Sequence, residues 1–229
     1  WKPMVMGTRY CVCATGPSYP SYLQLRDNAE VLEADGHGDK VLRLRDGSFL
    51  KLFRRKRLIS SAALFPYAER FARNASELAR RGIVCPKVLD VLRIPHIQRD
   101  AVHYEPLPGQ TLRQLDRNDP ECGDAVRTQL GELIAALHAK GVYFRSLHLG
   151  NVVRTPEGRM GLIDIADLRV QRSALSAAQR IRNFKHLLRY EQDRTWFLDD
   201  SEHLVLKAYL RSSQVHWTLE QLLKQLQLD

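Results

Sequence analysis

Short runs with apolar residues at every second position dominate the first half of the chain. Residues 29–34, 40–45 and 48–53 follow this pattern, the period of a half-buried strand. Between them stand Gly36-His37-Gly38-Asp39 and Asp46-Gly47, residue types suited to tight hairpin turns. The period then changes. Phe65, Ala68, Phe71, Ala72, Ala75, Leu78 and Ala79 recur at steps of three and four with Arg and Glu between them, which predicts an amphipathic helix stopped by Gly82. Residues 88–92 and 101–104 read as two further strands, and Pro106-Leu107-Pro108-Gly109 then breaks the chain.

Helical periods take over in the second half. Val126, Leu130, Leu133, Ile134 and Leu137 mark an amphipathic helix over 125–140, closed by Gly141. Two short apolar strands, 151–154 and 160–163, flank a turn at 156–158, and helices resume from about 174. Ahead of the first strand, residues 1–26 carry Pro3, Gly7, Gly16, Pro17 and Pro20 without a period, and read as a loosely ordered arm. No internal repeat is visible. The order of elements predicts a two-lobed α+β fold. The arm covers 1–27, a small lobe of antiparallel sheet plus one helix covers 28–104, and a helical lobe covers 105–229.

Composition adds two constraints. With 229 residues, 44% apolar and 27% charged, the chain has globular proportions and can bury a core without a metal or disulfide staple. Its net charge of +9 is uneven, because residues 1–105 hold 18 basic and 11 acidic side chains. An anionic ligand or surface is therefore expected near the small lobe. Cys11 and Cys13 form a C-x-C while Cys85 and Cys122 are scattered, so no zinc site is expected and a reducing, cytoplasmic setting fits. No apolar run approaches the ~18 residues of a membrane span. No short apolar segment follows a basic start, so these residues are not expected to hold a signal peptide.

Three segments carry candidate chemistry. Lys51 sits in mid-strand within Phe49-Leu50-Lys51-Leu52-Phe53, where an ammonium is costly unless it meets an anion. The segment from Phe144 to Asn151, containing Arg145, Ser146 and His148, directly follows a helix. Asp164 ends the apolar run Leu162-Ile163. Asn151 and Asp164 stand on the two sides of one short hairpin, so an amide oxygen and a carboxylate can converge there as ligands for a hard cation such as Mg²⁺. Lysine alone reads as a snorkelling surface residue, and Asp164 alone as a cap or turn residue; their combination favours phosphate and metal binding. Ser146 and His148 lack a nucleophile elbow and a third member, so a hydrolase is disfavoured. The run Arg54-Arg55-Lys56-Arg57 reads either as a solvated strand end or as a contact for an anionic substrate or membrane. It lacks interleaved aromatics, and nucleic acid is disfavoured as a partner.

This arrangement resembles the protein-kinase-like fold. Ser146-Leu147-His148-Leu149-Gly150-Asn151 is similar to the D-L-H-P-G-N loop of small-molecule and bacterial sugar kinases. The stretch from Tyr104 to Leu112 is similar to their hinge, and Arg182 to Tyr190 extends the likeness to the bacterial lipopolysaccharide-kinase family, some of whose members are labelled toluene-tolerance proteins. The resemblance covers roughly residues 28–212. It implies ATP and Mg²⁺ as cofactors, with Lys51 on the α/β-phosphates and Gly36 and Gly38 in a reduced glycine-rich loop. It further implies Glu105 and Leu107 at the adenine and Asn151 and Asp164 on the metal.

Departures from the family pattern are as informative. Ser146 stands where the family has its catalytic aspartate, and a serine cannot take a proton as a carboxylate does. Asp164-Ile165-Ala166 replaces D-F-G, and no third glycine follows Gly38. The acidic partner of Lys51 is expected from the helix, yet family spacing lands on Phe71 or Ala72, which leaves Glu69, Glu77 or none. His148 occurs in related loops and is expected to be structural. Two functions stay open: phosphoryl transfer from Mg-ATP to a hydroxyl of a sugar or lipopolysaccharide-core glycolipid, at the inner membrane surface, or a pseudokinase that docks a protein partner without transfer.

Overall fold

The computed structural model describes residues 19–55, 66–115 and 123–228. Cys11, Cys13 and Cys122, the Lys56-Arg57 half of the basic run, and Phe65 lie outside the described residues. The chain opens with α1 (Tyr19–Asp27), where the residue pattern predicts a loose arm. Five antiparallel strands follow: β1 (Glu30–Asp35), β2 (Gly38–Arg43), β3 (Phe49–Arg54), β4 (Lys87–Ile94) and β5 (Arg99–Glu105), in the sheet order β1-β2-β3-β5-β4. The alternation of β3 decides what this sheet does. Leu50 and Leu52 turn to its outer face with Leu42, Leu44, Ile94 and Ala101, where Tyr22 of α1 packs on them. Tyr22, 4% exposed, and the Arg26–Asp39 ion pair at 2.6 Å dock α1, and one buried side chain leaves no period in its sequence.

The inner face of the sheet receives α2 (Tyr67–Arg80). Its buried Ala68, Phe71, Ala72, Ala75 and Leu78 follow the helical period, and the Phe71 and Tyr104 ring centroids lie 5.1 Å apart. Beyond β5 the chain crosses into the larger lobe at Gly109, whose φ of 121° is closed to most side chains. A Cβ there would also collide with the Arg154 carbonyl, so this crossing requires glycine.

The larger lobe contains β6 (Gln110–Thr111), α3 (Asp124–Ala139), β7 (Val142–Tyr143), β8 (Val152–Arg154), β9 (Met160–Leu162) and β10 (Arg169–Val170). It ends in α4 (Ala177–Leu187), α5 (Glu191–Leu198), α6 (Leu204–Ser212) and α7 (Leu219–Leu226). Strands β6, β8 and β9 form a small sheet, and β7 pairs with β10. Ser176/Gln179 and Thr218/Gln221 make reciprocal capping boxes that start α4 and α7. One apolar cluster runs from Phe71, Val102 and Tyr104 through Leu130 and Phe144 to Phe184 and Tyr209. The two lobes therefore share a core, and the cleft between them has firm walls. The expected two-lobed α+β architecture is the architecture present.

At the centre of the helical lobe His138 is fully buried, 3.0 Å from the Tyr209 hydroxyl and 3.2 Å from the Asn183 side-chain oxygen. Burial pushes its pKa down to about 3, with nearby Arg180 adding to the effect against the opposing Asn183 hydrogen bond. It is a neutral, structural histidine.

Candidate active site

Because Leu50 and Leu52 take the outer face, Lys51 must take the inner one. It opens on a cleft of about 430 Å³ whose walls include Ser146, Asp164, Ala166 and Asp167. Asp164 follows β9 in the left-handed region, at φ 53°, a conformation aspartate tolerates better than most residues. There its Oδ1 lies 2.5 Å from Lys51 Nζ, with the lysine side chain 18% and the aspartate side chain 49% exposed. The partner of Lys51 is thus Asp164 and neither glutamate of α2. Glu77 is engaged by Arg80 and Arg81, and Glu69 lines a different cavity. Phe71 and Ala72, where family spacing would put the acid, are buried in the core. The Tyr104 phenol is held above its ordinary range, by burial first and by the charge of Asp164 second.

Sequence reasoning missed a carboxylate that stands beside Asp164 in the cleft. Residues Ile165–Asp167 form a single 3₁₀ turn capped by Asp164. In such a turn residues three apart eclipse, so Asp164 and Asp167 fall on one side. Ser146 Oγ donates to Asp167 Oδ2 across 2.6 Å. The other oxygen, Oδ1, is buried without a hydrogen-bond partner among the described residues. A buried unpaired carboxylate oxygen is expensive, and groups left in that state in native proteins commonly await a ligand or a proton. The D-x-x-D spacing was the available signal, though it gains meaning only from the 3₁₀ geometry.

Asn151 sits behind this pair, 7% exposed, and its amide donates to the Ser146 carbonyl at 2.9 Å. Its own carbonyl accepts from the Ile163 amide at 3.0 Å, so the β8–β9 hairpin brings Asn151 next to Asp164. Asp164 lines the cleft and Asn151, buried behind it, does not; a hard cation there would meet Asp164 first and the Asn151 side-chain oxygen only from behind. No cluster of three or more His, Cys, Asp or Glu suited to a metal occurs among the described residues. Mg²⁺ fits such a place, because it keeps water and phosphate in its shell and needs only one or two protein oxygens.

The remaining predicted residues lie at the margins. Gly36 and Gly38 form the β1–β2 turn, steadied by the His37 amide donating to Asp35 and by Arg99 donating to the His37 carbonyl at 2.6 Å. Around that turn the cleft wall carries Glu33, Asp35 and Asp39, with Lys40 paired to Glu33 at 3.1 Å. Glu105 pairs with Lys87 at 3.0 Å on the surface, and Leu107 packs at Gly161 of β9. Glu105 and Leu107 do not line the 430 Å³ cleft.

Two anchors hold the loop and the turn in place. Asp193, fully buried in α5, receives a bidentate bond from Arg113 at 2.8 and 2.9 Å and the Leu149 amide at 3.0 Å. His148 packs edge-on against Tyr190 beside this anchor, with its pKa lowered by burial and then by Arg113. Its Nδ1 is buried without a hydrogen-bond partner among the described residues, so the ring is held by packing rather than by a hydrogen bond at that atom. On α2, buried Asn74 donates to the carbonyls of Ile165 at 2.7 Å and Leu168 at 2.9 Å, tying the helix to the turn that bears Asp167.

Comparison with known proteins places the chain at the level of family, over residues that stop short of Ser146, Asn151, Asp164 and Asp167. The phosphotransferase enzyme family (APH) matches residues 26–142, slightly more than half of the chain. No curated protein matches the sequence. Among solved structures, the bifunctional kinase-methyltransferase WbdD is similar with a TM-score of 0.44 and 16% identity, over 76% of this chain. The match spans 42% of the WbdD chain, so this sequence corresponds to less than half of that protein. The family match begins at the end of α1 and ends in β7, and so takes in the sheet with Lys51, α2 and the crossing to the helical lobe; the chain belongs to the phosphotransferase enzyme family.

Proposed function

We propose that the cleft transfers the γ-phosphoryl group of ATP to a hydroxyl of a sugar or of a lipopolysaccharide-core glycolipid. The observation that carries this reading is the presence, in one cleft, of a lysine–aspartate pair and a serine–aspartate pair. Lys51 would leave Asp164 for the α/β-phosphates, and Gly36 and Gly38 would let the β1–β2 turn approach them. Glu105 and Leu107 would border the adenine through the backbone between the lobes. Asp164 and Asn151 would hold Mg²⁺, which supplies charge neutralisation to the phosphates.

Asp167 is assigned the role that Ser146 cannot fill. As the acceptor oxygen forms its bond to the γ-phosphorus, the bond from that phosphorus to the β,γ-bridging oxygen breaks and ADP leaves. The acceptor proton passes to Ser146 Oγ while Ser146 passes its own proton to Asp167, or it goes to Asp167 directly. General-base help of this kind contributes typically ~10²–10⁴-fold. The setting of such an enzyme would be the cytoplasmic side of the inner membrane; among the described residues no helix is long and apolar enough to cross a membrane.

A second reading is favoured by the acids Glu33, Asp35 and Asp39 around the glycine turn, which oppose phosphate. In that reading the Lys51–Asp164 pair closes the cleft, and the protein binds a partner without transferring phosphate. Calorimetric titration with Mg-ATP, followed by measurement of ADP formation, separates the two. Binding with ADP formation supports transfer. A cleft that takes up no Mg-ATP at millimolar concentration supports the scaffold.

A further inference from the structure

A second cavity, of about 880 Å³, lies between α2 and residues 166–172. Its walls carry Arg70 and Arg73 from α2, Arg145 from the loop before Ser146, and Arg169 and Arg172 around β10. None of these five guanidiniums has a carboxylate partner among the described residues, and Arg70 lies over the Tyr67 ring at 5.3 Å. Of the acids on the same walls, Glu77 is held by Arg80 and Arg81, whereas Asp167, which accepts from Ser146 Oγ, and Glu69 have no cationic partner among the described residues, so the arginines outnumber the unpaired acids. Five like charges gathered in one concave site repel one another unless an anion joins them.

Two further features separate this cavity from an ordinary basic surface. Its opposite walls are fastened together by buried Asn74, which bonds the carbonyls of Ile165 and Leu168, so the backbone segments that carry Arg73 and Arg169 are held at one separation. It is also continuous with the cleft, since Tyr67, Ala166 and Asp167 line both. A molecule seated among the arginines therefore lies next to the Ser146–Asp167 pair.

We infer that this cavity binds a phosphomonoester carried by the acceptor, and that docking of the phosphate delivers a neighbouring hydroxyl to Asp167. Guanidiniums bind phosphate oxygens in bidentate fashion, and a dianionic monoester meets several of them at once. Assigning the bound group to an acceptor rests on the phosphotransfer reading; the phosphate site itself does not. The monoester could belong to a soluble sugar phosphate or to a membrane glycolipid, and the chemistry recognised is the same.

The test uses the full chain with glucose-6-phosphate, with glucose, and with phosphatidylcholine vesicles with and without phosphatidic acid. The variant Arg73→Gln/Arg169→Gln/Arg172→Gln is compared with a charge-matched control on exposed residues elsewhere, Arg194→Gln/Arg211→Gln/Lys224→Gln. Wild type and control are expected to bind glucose-6-phosphate but not glucose, and the cavity variant to bind it at least about tenfold more weakly. Mg-ATP affinity should be equal in all three. Binding confined to the phosphatidic acid vesicles, and lost in the cavity variant alone, supports the site and names a lipid source. Equal weakening in both variants, or no binding of either phosphate probe by wild type, overturns the inference. Selective phosphate binding in a protein that takes no ATP refutes the phosphotransfer reading and leaves the phosphate site standing.

Discussion

Ser146 and Asp167 are joined by a 2.6 Å hydrogen bond across the floor of the cleft, and the carboxylate keeps one buried oxygen unpaired. In the proposed transfer, Asp167 on the turn that follows Asp164 would serve as the base that a serine at position 146 cannot be. Replacing Asp167 by Asn keeps the shape and removes the proton acceptor. Asp167→Asn is expected to lower kcat by ~10²–10⁴-fold while leaving Mg-ATP affinity unchanged, measured by ADP formation alongside calorimetry. An equal loss of affinity would instead mark Asp167 as a nucleotide ligand.

Restoring the family's aspartate at position 146 should not help by itself. Ser146→Asp would set a second carboxylate against Asp167, and the two would compete for one proton. The single variant is expected to be no more active than wild type, whereas Ser146→Asp/Asp167→Asn should exceed Asp167→Asn by at least about tenfold. Steady-state kinetics of the three proteins decide it.

The Lys51–Asp164 pair is partly exposed, so its direct contribution to folding is small. Lys51→Met is expected to change unfolding free energy by less than about 1 kcal/mol and to abolish measurable Mg-ATP binding. Urea titration and calorimetry on the same sample separate the two effects.

Asn74 bridges α2 and the turn that bears Asp167 through two carbonyls. Asn74→Ala leaves both unpaired and should cost about 1–3 kcal/mol. Because the turn then loses its tether, kcat should fall more than Mg-ATP affinity does. A loss of stability with kinetics unchanged would show that Asn74 serves only the fold.

His138 gives the fold a pH dependence with a definite sign. Its folded pKa is about 3, against an ordinary value of 6.5. Below the ordinary value the unfolded chain binds a proton that the folded protein refuses, so the stability present near neutrality is lost as pH falls toward the folded pKa. The slope from this residue approaches ~1.4 kcal/mol per pH unit. Urea midpoints near neutrality and at about pH 5 should converge for wild type and His138→Gln at the lower value, relative to their separation at neutrality.

The fold was legible wherever burial imposes a period. The five strands and α2 fall within one to three residues of their predicted bounds; half-buried strands and amphipathic helices write their geometry directly into the sequence, while β1, exposed along its whole length, is bounded by the turn at Gly36–Gly38. Helix α1 was illegible because Tyr22 is its only buried side chain among the described residues and its other anchor is the Arg26–Asp39 ion pair, neither of which makes a period. That Lys51, Asp164 and Ser146 line one cleft was expected from their order and spacing. Asp167 needed a 3₁₀ turn, and the pairing of Lys51 with Asp164 needed the two lobes brought together. The arginine cavity draws on α2, the loop before Ser146 and β10, segments too far apart in sequence for any local pattern to join them. The excess charge read from composition is placed only in part by the small lobe, because Arg145, Arg169 and Arg172 come from the other half of the chain.

The most direct test of the central claim is ADP formation from Mg-ATP by wild type, Asp164→Ala and Asp167→Asn, each with and without glucose-6-phosphate. The account expects turnover by wild type that the sugar phosphate increases, and its loss in both variants. Wild type that binds Mg-ATP yet forms no ADP, or turnover that survives Asp167→Asn undiminished, would contradict it.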